Sequence, residues 1–416
     1  MIKVLKKMQN VGLYILASFI PAFISVVMNP FIAKNMSSMD YSIVGFYSSF
    51  NLLLTPLVSF YLAHFFSKRY YECSEEQRQQ LKALIYRIFF IFSLGMAFLS
   101  VLGIWIYNVF FNKNSIIPLF PYVFLFVGAL FFNCFYTLEL SHLKMKRNAK
   151  LFFVFSMVQS VLIASTTLVL VVLLKWGALG KMLAPLIEAL ALASFILFRN
   201  RNLLFVNVST AQISNVIKFC YPLVLTAMLG FFSKGFDCVL LERFNNPKEF
   251  ALYTIGLQFA SYLILFTNAL QNTFQSDIYE CIAKKNSKKL IKIGLLLLFA
   301  SISVVVLFIL FAPFVIEVLT YGRYTDASQY ARIMSISIIF MVMFYFFSTI
   351  NVAKGKTKIL LVNKIIVSFF AVLVTPFFVQ RYMYEGGAIC QVVVWFFSLV
   401  CLLFISNFNF HRKSNV

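Results

Sequence analysis

The chain has 416 residues, of which 61% are hydrophobic and 12% charged, with a net charge of +22. A soluble domain carries about 25% charged residues, and no globular core could absorb this much apolar surface. A water-soluble enzyme is therefore excluded and a lipid-solvated protein is left. The basic residues stand in short clusters between apolar runs, which reads as charge retained on the cytoplasmic side of a membrane and not as a nucleic-acid surface.

The opening MIKVLKKMQN is positive and leads into an apolar run from Val11 to Ile32, too long for a signal-peptide core and long enough to span. It reads as a first, uncleaved helix. Further spans are predicted near 41–66, 83–107, 118–140, 151–174, 179–198, 217–241, 250–275, 291–313, 328–350, 359–380 and 386–406. The expected fold class is an all-α membrane protein of about twelve transmembrane helices with short connections. Placing the N-terminus inside puts 26 of the 36 Lys and Arg residues on the inner side, nine outside, and Lys234 within a span. That asymmetry predicts a multi-pass plasma-membrane protein with both termini in the cytoplasm. The seven cysteines form no C-x-x-C pair and the three histidines are scattered, so free thiols are expected and neither a metal site nor a catalytic residue is predicted.

A shift of 209 residues partly matches the chain to itself. Lys34 falls on Arg243, Asp40 on Glu249, Tyr41 on Phe250, Phe50 on Phe259, Leu54 on Leu263 and Gly177 on Gly386. Six helices per repeat return the chain to its starting side, so two parallel six-helix lobes are predicted: 1–198 and 217–416, joined by a polar cytoplasmic linker at 199–216. Parallel lobes of this kind bind substrate at their interface and rock to alternate access.

Ionisable residues inside spans mark function by default. Lys234 and Asp237, three apart in span seven, could share one helix face as a charged lining for an anionic substrate or a coupling ion. Equally, they could form a mutually neutralised pair near the helix end. Glu188, mid-way along span six, is either a site for coupling H⁺ or Na⁺ or a hydrogen-bonded structural acid. Polar stripes run along span two (Ser48, Asn51, Thr55, Ser59) and span eight (Asn268, Gln271, Asn272, Gln275). They would line a cavity for a hydroxyl-rich substrate or join helices by hydrogen bonds. Pro21, Pro30, Pro56 and Pro222 permit kinks, as hinges or as static bends. Lys68, Arg69, Lys144, Lys284 and Lys354 belong to a basic cytoplasmic rim that would attract anionic headgroups or a pyrophosphate. No nucleotide-binding or hydrolase motif is present, so uphill work would come from an ion gradient and no organic cofactor is expected.

This arrangement resembles the multidrug/oligosaccharidyl-lipid/polysaccharide exporter superfamily, and most of all its polysaccharide branch, the Wzx-type O-antigen flippases. The resemblance is carried by PFIAKNMSSMDYSIVGFYSSF (Pro30 to Phe50), by Asp237, here followed by Cys238 where the branch often has a basic residue, by ALYTIGLQ at 251–258, and by the turns GALG (177–180), EGGA (385–388) and EVLTYGRYTDAS (317–328). It implies passage of an undecaprenyl-pyrophosphate-linked oligosaccharide across a bacterial inner membrane, in contact with membrane lipids and with other polysaccharide-assembly proteins. On this view Lys234 would hold the pyrophosphate or acidic sugars. An ion-coupled multidrug exporter is the rival of like architecture, disfavoured by the lack of an acid in span one. A major-facilitator porter would carry a basic/Gly signature where SKRYYECSEEQRQQ stands. A glycosyltransferase or polymerase on the same lipid carrier would need a larger outer loop than the one around Asp40.

Overall fold

A computed structural model describes residues 2–112, 115–205, 211–354 and 356–411 of the chain. Among them the regular structure is helical, as lipid requires of a backbone that must satisfy its own hydrogen bonds. The basic residues expected at Lys113, Arg412 and Lys413, and 206–210 of the expected linker, lie outside the described residues.

The helices in chain order are α1 (Ile2–Asn35), α2 (Ser38–Ser49), α3 (Asn51–Ser59), α4 (Leu62–Arg69), α5 (Glu75–Ile88), α6 (Leu94–Phe111), α7 (Tyr122–Met145), α8 (Ala149–Thr167) and α9 (Gly177–Arg199). There follow α10 (Ala211–Met228), α11 (Phe231–Lys234), α12 (Phe236–Leu241), α13 (Pro247–Ala283), α14 (Ser287–Leu319), α15 (Ala327–Ala353) and α16 (Thr357–His411). Among the described residues nine helices are long and apolar enough to span, and α2 with α3 makes a tenth span bent by 48°. Non-helical Met383 divides α16 into the two spans predicted at 359–380 and 386–406, and α1 supplies the first. The described helices are thus roughly consistent with the twelve expected spans, the apolar part of α1, Phe19–Asn35, being shorter than the others. Large exposed side chains such as Phe98, Phe299, Phe314 and Phe404 make an apolar surface that water would not tolerate and acyl chains would.

The starts of α2 and α13 obey the repeat. Ser37 caps α2 with Asp40 completing a capping box, and Asn246 caps α13 with its side chain bonded to the Glu249 N–H. Both pairs keep the 209-residue offset. Asp40 reaches further: its Oδ1 accepts the Ala178 N–H at 2.7 Å, so one carboxylate fixes the starts of both α2 and α9. Gly177 makes this approach possible, since its φ is +52° and a Cβ there would lie 2.4 Å from Asp40 Oδ1.

The chain divides into two compact units, Met1–Met228 and Leu229–Val416. In the first, α1 packs on α8, α7 on α9 and α4, and α10 on α3 and α4. Packing thus joins α10 to the first unit, whereas the span count assigns 217–241 whole to the second lobe. In the second unit α15 is central, packed by α13, α14 and α16, and α11 and α12 lie on α16. The four prolines singled out in spans one, two and seven sit inside continuous helices. The breaks fall elsewhere: at Phe50, at Phe60 and Tyr61 with positive φ, and at Gly235. All seven cysteines are free and six are buried.

Candidate functional site

Among the described residues, two polar sites lie within the membrane-spanning helices, one in each unit. In the second unit, span seven is interrupted at Gly235, whose non-helical φ of −139° separates α11 from α12. The interruption corrects the expectation that Lys234 and Asp237 share a helix face and can pair. Asp237 is buried, and its Oδ2 accepts hydrogen bonds from the Tyr253 hydroxyl on α13 and, at 2.8 Å, from Gln391 Nε2 on α16. Its Oδ1 has no hydrogen-bond partner. Lys234 points elsewhere, with Nζ 5.2 Å from the Trp395 ring centroid and 3.8 Å from Met341 Sδ. It forms no ion pair among the described residues, and its electrostatic neighbour is a second cation, Lys364. A buried carboxylate with one unused oxygen and a cation held by π electrons are distinct elements of this site.

Gly387 lets the Asp237 cluster close. A Cβ there would lie 3.0 Å from the Tyr253 hydroxyl and 2.8 Å from Leu241 Cδ1, so any larger residue would make the ends of these two side chains shift.

In the first unit, a cavity of about 280 Å³ is lined by Ser48, Asn51, Asn133, Gln159, Lys181 and Glu188 among apolar neighbours. Gln159 and Lys181 also line an adjoining space of about 250 Å³ against α1 and α8. Glu188 is buried, with Gln159 as a hydrogen-bond partner, while its Oε1 and the Asn133 Oδ1 lack one. Two acceptors without a partner thus belong to residues that line one cavity. The sequence reading found Glu188 and Asn51 here but singled out none of Lys181, Asn133 and Gln159. In α9 Lys181 precedes Glu188 by seven residues, two helical turns, which places both on one face and was a readable signal.

The other expected residues are more dispersed. Thr55 is exposed and is not part of the cavity that Ser48 and Asn51 line. On α13, Asn268 and Gln275 are exposed, and Gln271 is half-buried in a narrow gap with Thr267, Tyr345 and Thr349. The side chain of Asn272 lies outside the described ones. Lys68, Arg69, Lys144, Lys284 and Lys354 are all exposed at helix ends. Arg69 pairs with Glu72 at 2.9 Å and Lys284 with Glu280 at 2.6 Å, so part of the rim's charge is neutralised locally.

A second set of charges went unread. Lys82, near the start of span three, and Glu139, at the end of span four, are both buried and pair at 2.6 Å. Opposite charges at the same end of two consecutive spans were the available clue.

A model of the polysaccharide biosynthesis protein family matches residues 8–275, and a MatE model matches residues 222–377. No curated protein matches the chain. Among solved structures, an inward-facing multidrug resistance MATE family transporter of the MOP superfamily superposes with a TM-score of 0.76 at 13% identity, over 95% of this chain and 96% of that one. The lipid II flippase MurJ in an inward closed conformation gives 0.72 at 16% identity, over 94% and 87%. The Vibrio cholerae MATE transporter VcmN gives 0.57 at 17% identity, over 96% and 94%. At these identities the likeness is one of fold.

Proposed function

Because the chain belongs to the polysaccharide biosynthesis protein family, we propose that it is a flippase. It carries an undecaprenyl-pyrophosphate-linked sugar repeat unit from the inner to the outer leaflet of a bacterial inner membrane by alternating access, with both termini in the cytoplasm. It acts as a transporter and not as an enzyme, and its product feeds O-antigen or other surface polysaccharide assembly. The fold it has in common with MurJ, a lipid II flippase, supports a lipid-linked substrate.

The observation that carries the reading is Lys234. A cation inside a membrane-spanning segment costs several kcal/mol unless it serves a partner. Here it has an aromatic face and a thioether for neighbours, Lys364 nearby, and no acid among the described residues to neutralise it. Such a site favours a pyrophosphate or an acidic sugar. Asp237 and Glu188, each with an unused carboxylate oxygen, are the residues that would couple transport to H⁺ or Na⁺. Asp40, the acid a glycosyltransferase would need in the outer turn, is already engaged in fixing α2 and α9.

The MatE match over 222–377 supports a second reading, an ion-coupled multidrug exporter. The test is Lys234→Ala in the host. The proposal expects loss of surface polysaccharide at unchanged protein level. Full export by the variant would remove Lys234 from substrate binding.

A further inference from the structure

At the end of the first unit that carries the basic loops, a mostly polar cavity of about 340 Å³ is lined by Arg78, Lys82, His142, Lys146, Arg199 and Asn200, and by one acid, Glu75. The pocket is built, not merely a charged surface. Lys82 is 5% exposed. It donates to Glu139 Oε2 at 2.6 Å and to Asn200 Oδ1 at 3.2 Å, with His142 Nδ1 3.4 Å away. Arg78 is also held in place: its Nε donates to the Tyr70 carbonyl at 2.8 Å and its guanidinium lies 4.4 Å from the Tyr70 ring centroid. Glu139 offsets Lys82, whereas Arg78, Lys146 and Arg199 form no ion pair among the described residues. The cavity therefore presents an excess of positive charge around fixed donors. Phe195 and Phe198, on the last turns of α9 beside the pocket residue Arg199, are 56% and 71% exposed, an apolar track close to a cationic pocket.

We infer that this pocket binds the phosphate headgroup of a lipid, with the acyl or prenyl chain lying against the exposed end of α9. The site is separate from Lys234 and does not depend on the proposed substrate. Guanidinium and ammonium groups recognise phosphate oxygens by charge-assisted hydrogen bonds, and the volume lies in the range of small-ligand pockets. The phosphate could belong to a bilayer phospholipid or to a polyprenyl carrier.

The test is equilibrium binding to the full-length purified protein in zwitterionic nanodiscs. Two fluorescent probes are titrated separately: phosphatidylglycerol and a polyprenyl diphosphate. Lys146 and Arg199 are exposed, so the double variant Lys146→Gln, Arg199→Gln leaves the buried Lys82–Glu139 pair intact. The control, Arg147→Gln with Lys150→Gln, removes equal charge from exposed positions on the same loop region, outside both the pocket and the residues named in the basic rim. The pocket variant is expected to bind about tenfold more weakly than the control, the worth of one charge-assisted hydrogen bond. A loss seen only with phosphatidylglycerol assigns the pocket to bilayer lipid, and one seen only with polyprenyl diphosphate assigns it to the carrier. Equal affinities for pocket variant and control, with both probes, would overturn the inference.

Discussion

The buried Lys82–Glu139 pair should be costly to break and cheap to replace. Its side chains are 6% and 3% exposed with N and O 2.6 Å apart. At an effective dielectric of about 20, charges a little over 3 Å apart attract by about 5 kcal/mol, which is comparable to the several kcal/mol that each ion loses on leaving water. The pair as a whole is therefore close to neutral. Removing one partner strands the other, so Lys82→Met or Glu139→Leu alone should destabilise the first unit by about 3–5 kcal/mol. The double variant Lys82→Met, Glu139→Leu should be less destabilised than either single change. It will not match the parent fully, because Asn200 Oδ1 loses the Lys82 ammonium it accepts from. The assay is a double-mutant cycle on the purified chain in mixed micelles, read by denaturant-induced unfolding. Additive costs, with the double variant the least stable of the four proteins, would refute the argument that these charges compensate one another across α5 and α7.

Gly177→Ala should destabilise the protein by about 1–2 kcal/mol from the left-handed backbone alone, and by more because the new Cβ meets Asp40 Oδ1; the same unfolding assay reads it, and an unchanged midpoint would contradict the assigned contact. Tyr253→Phe leaves Asp237 Oδ2 with Gln391 alone, at a cost of about 1–3 kcal/mol in that assay, and no cost would mean the hydroxyl does not serve the carboxylate. Glu188→Gln keeps the volume of the first-unit cavity and removes its acid. Transport into proteoliposomes should lose its dependence on the imposed ion gradient while the protein still folds; retained ion dependence would clear Glu188 of a coupling role.

Much of the fold was legible because lipid imposes simple rules on sequence. Apolar runs of sufficient length must be helices, and short polar segments must be their ends. The 209-residue repeat was also readable, and its physical content is a shared helix start: Ser37 and Asp40 recur in role as Asn246 and Glu249. What sequence could not supply was the break in span seven. Lys234 and Asp237 satisfy helical spacing on paper, yet Gly235 turns them to different partners. The partners themselves, Tyr253 and Gln391, lie 16 and 154 residues from Asp237 and are joined to it only by packing. The prolines misdirected attention for a related reason: a helix in a membrane tolerates proline when neighbours satisfy the freed carbonyl, so α1 runs through Pro21 and Pro30 unbroken.

The measurement that bears most directly on the proposed function is deletion of the gene in its host, with staining of surface polysaccharide and extraction of lipid-linked sugars. A flippase predicts loss of surface polymer with single repeat units accumulating on the inner-leaflet carrier. Unchanged polymer accompanied by new sensitivity to cationic drugs would contradict it and favour the multidrug exporter.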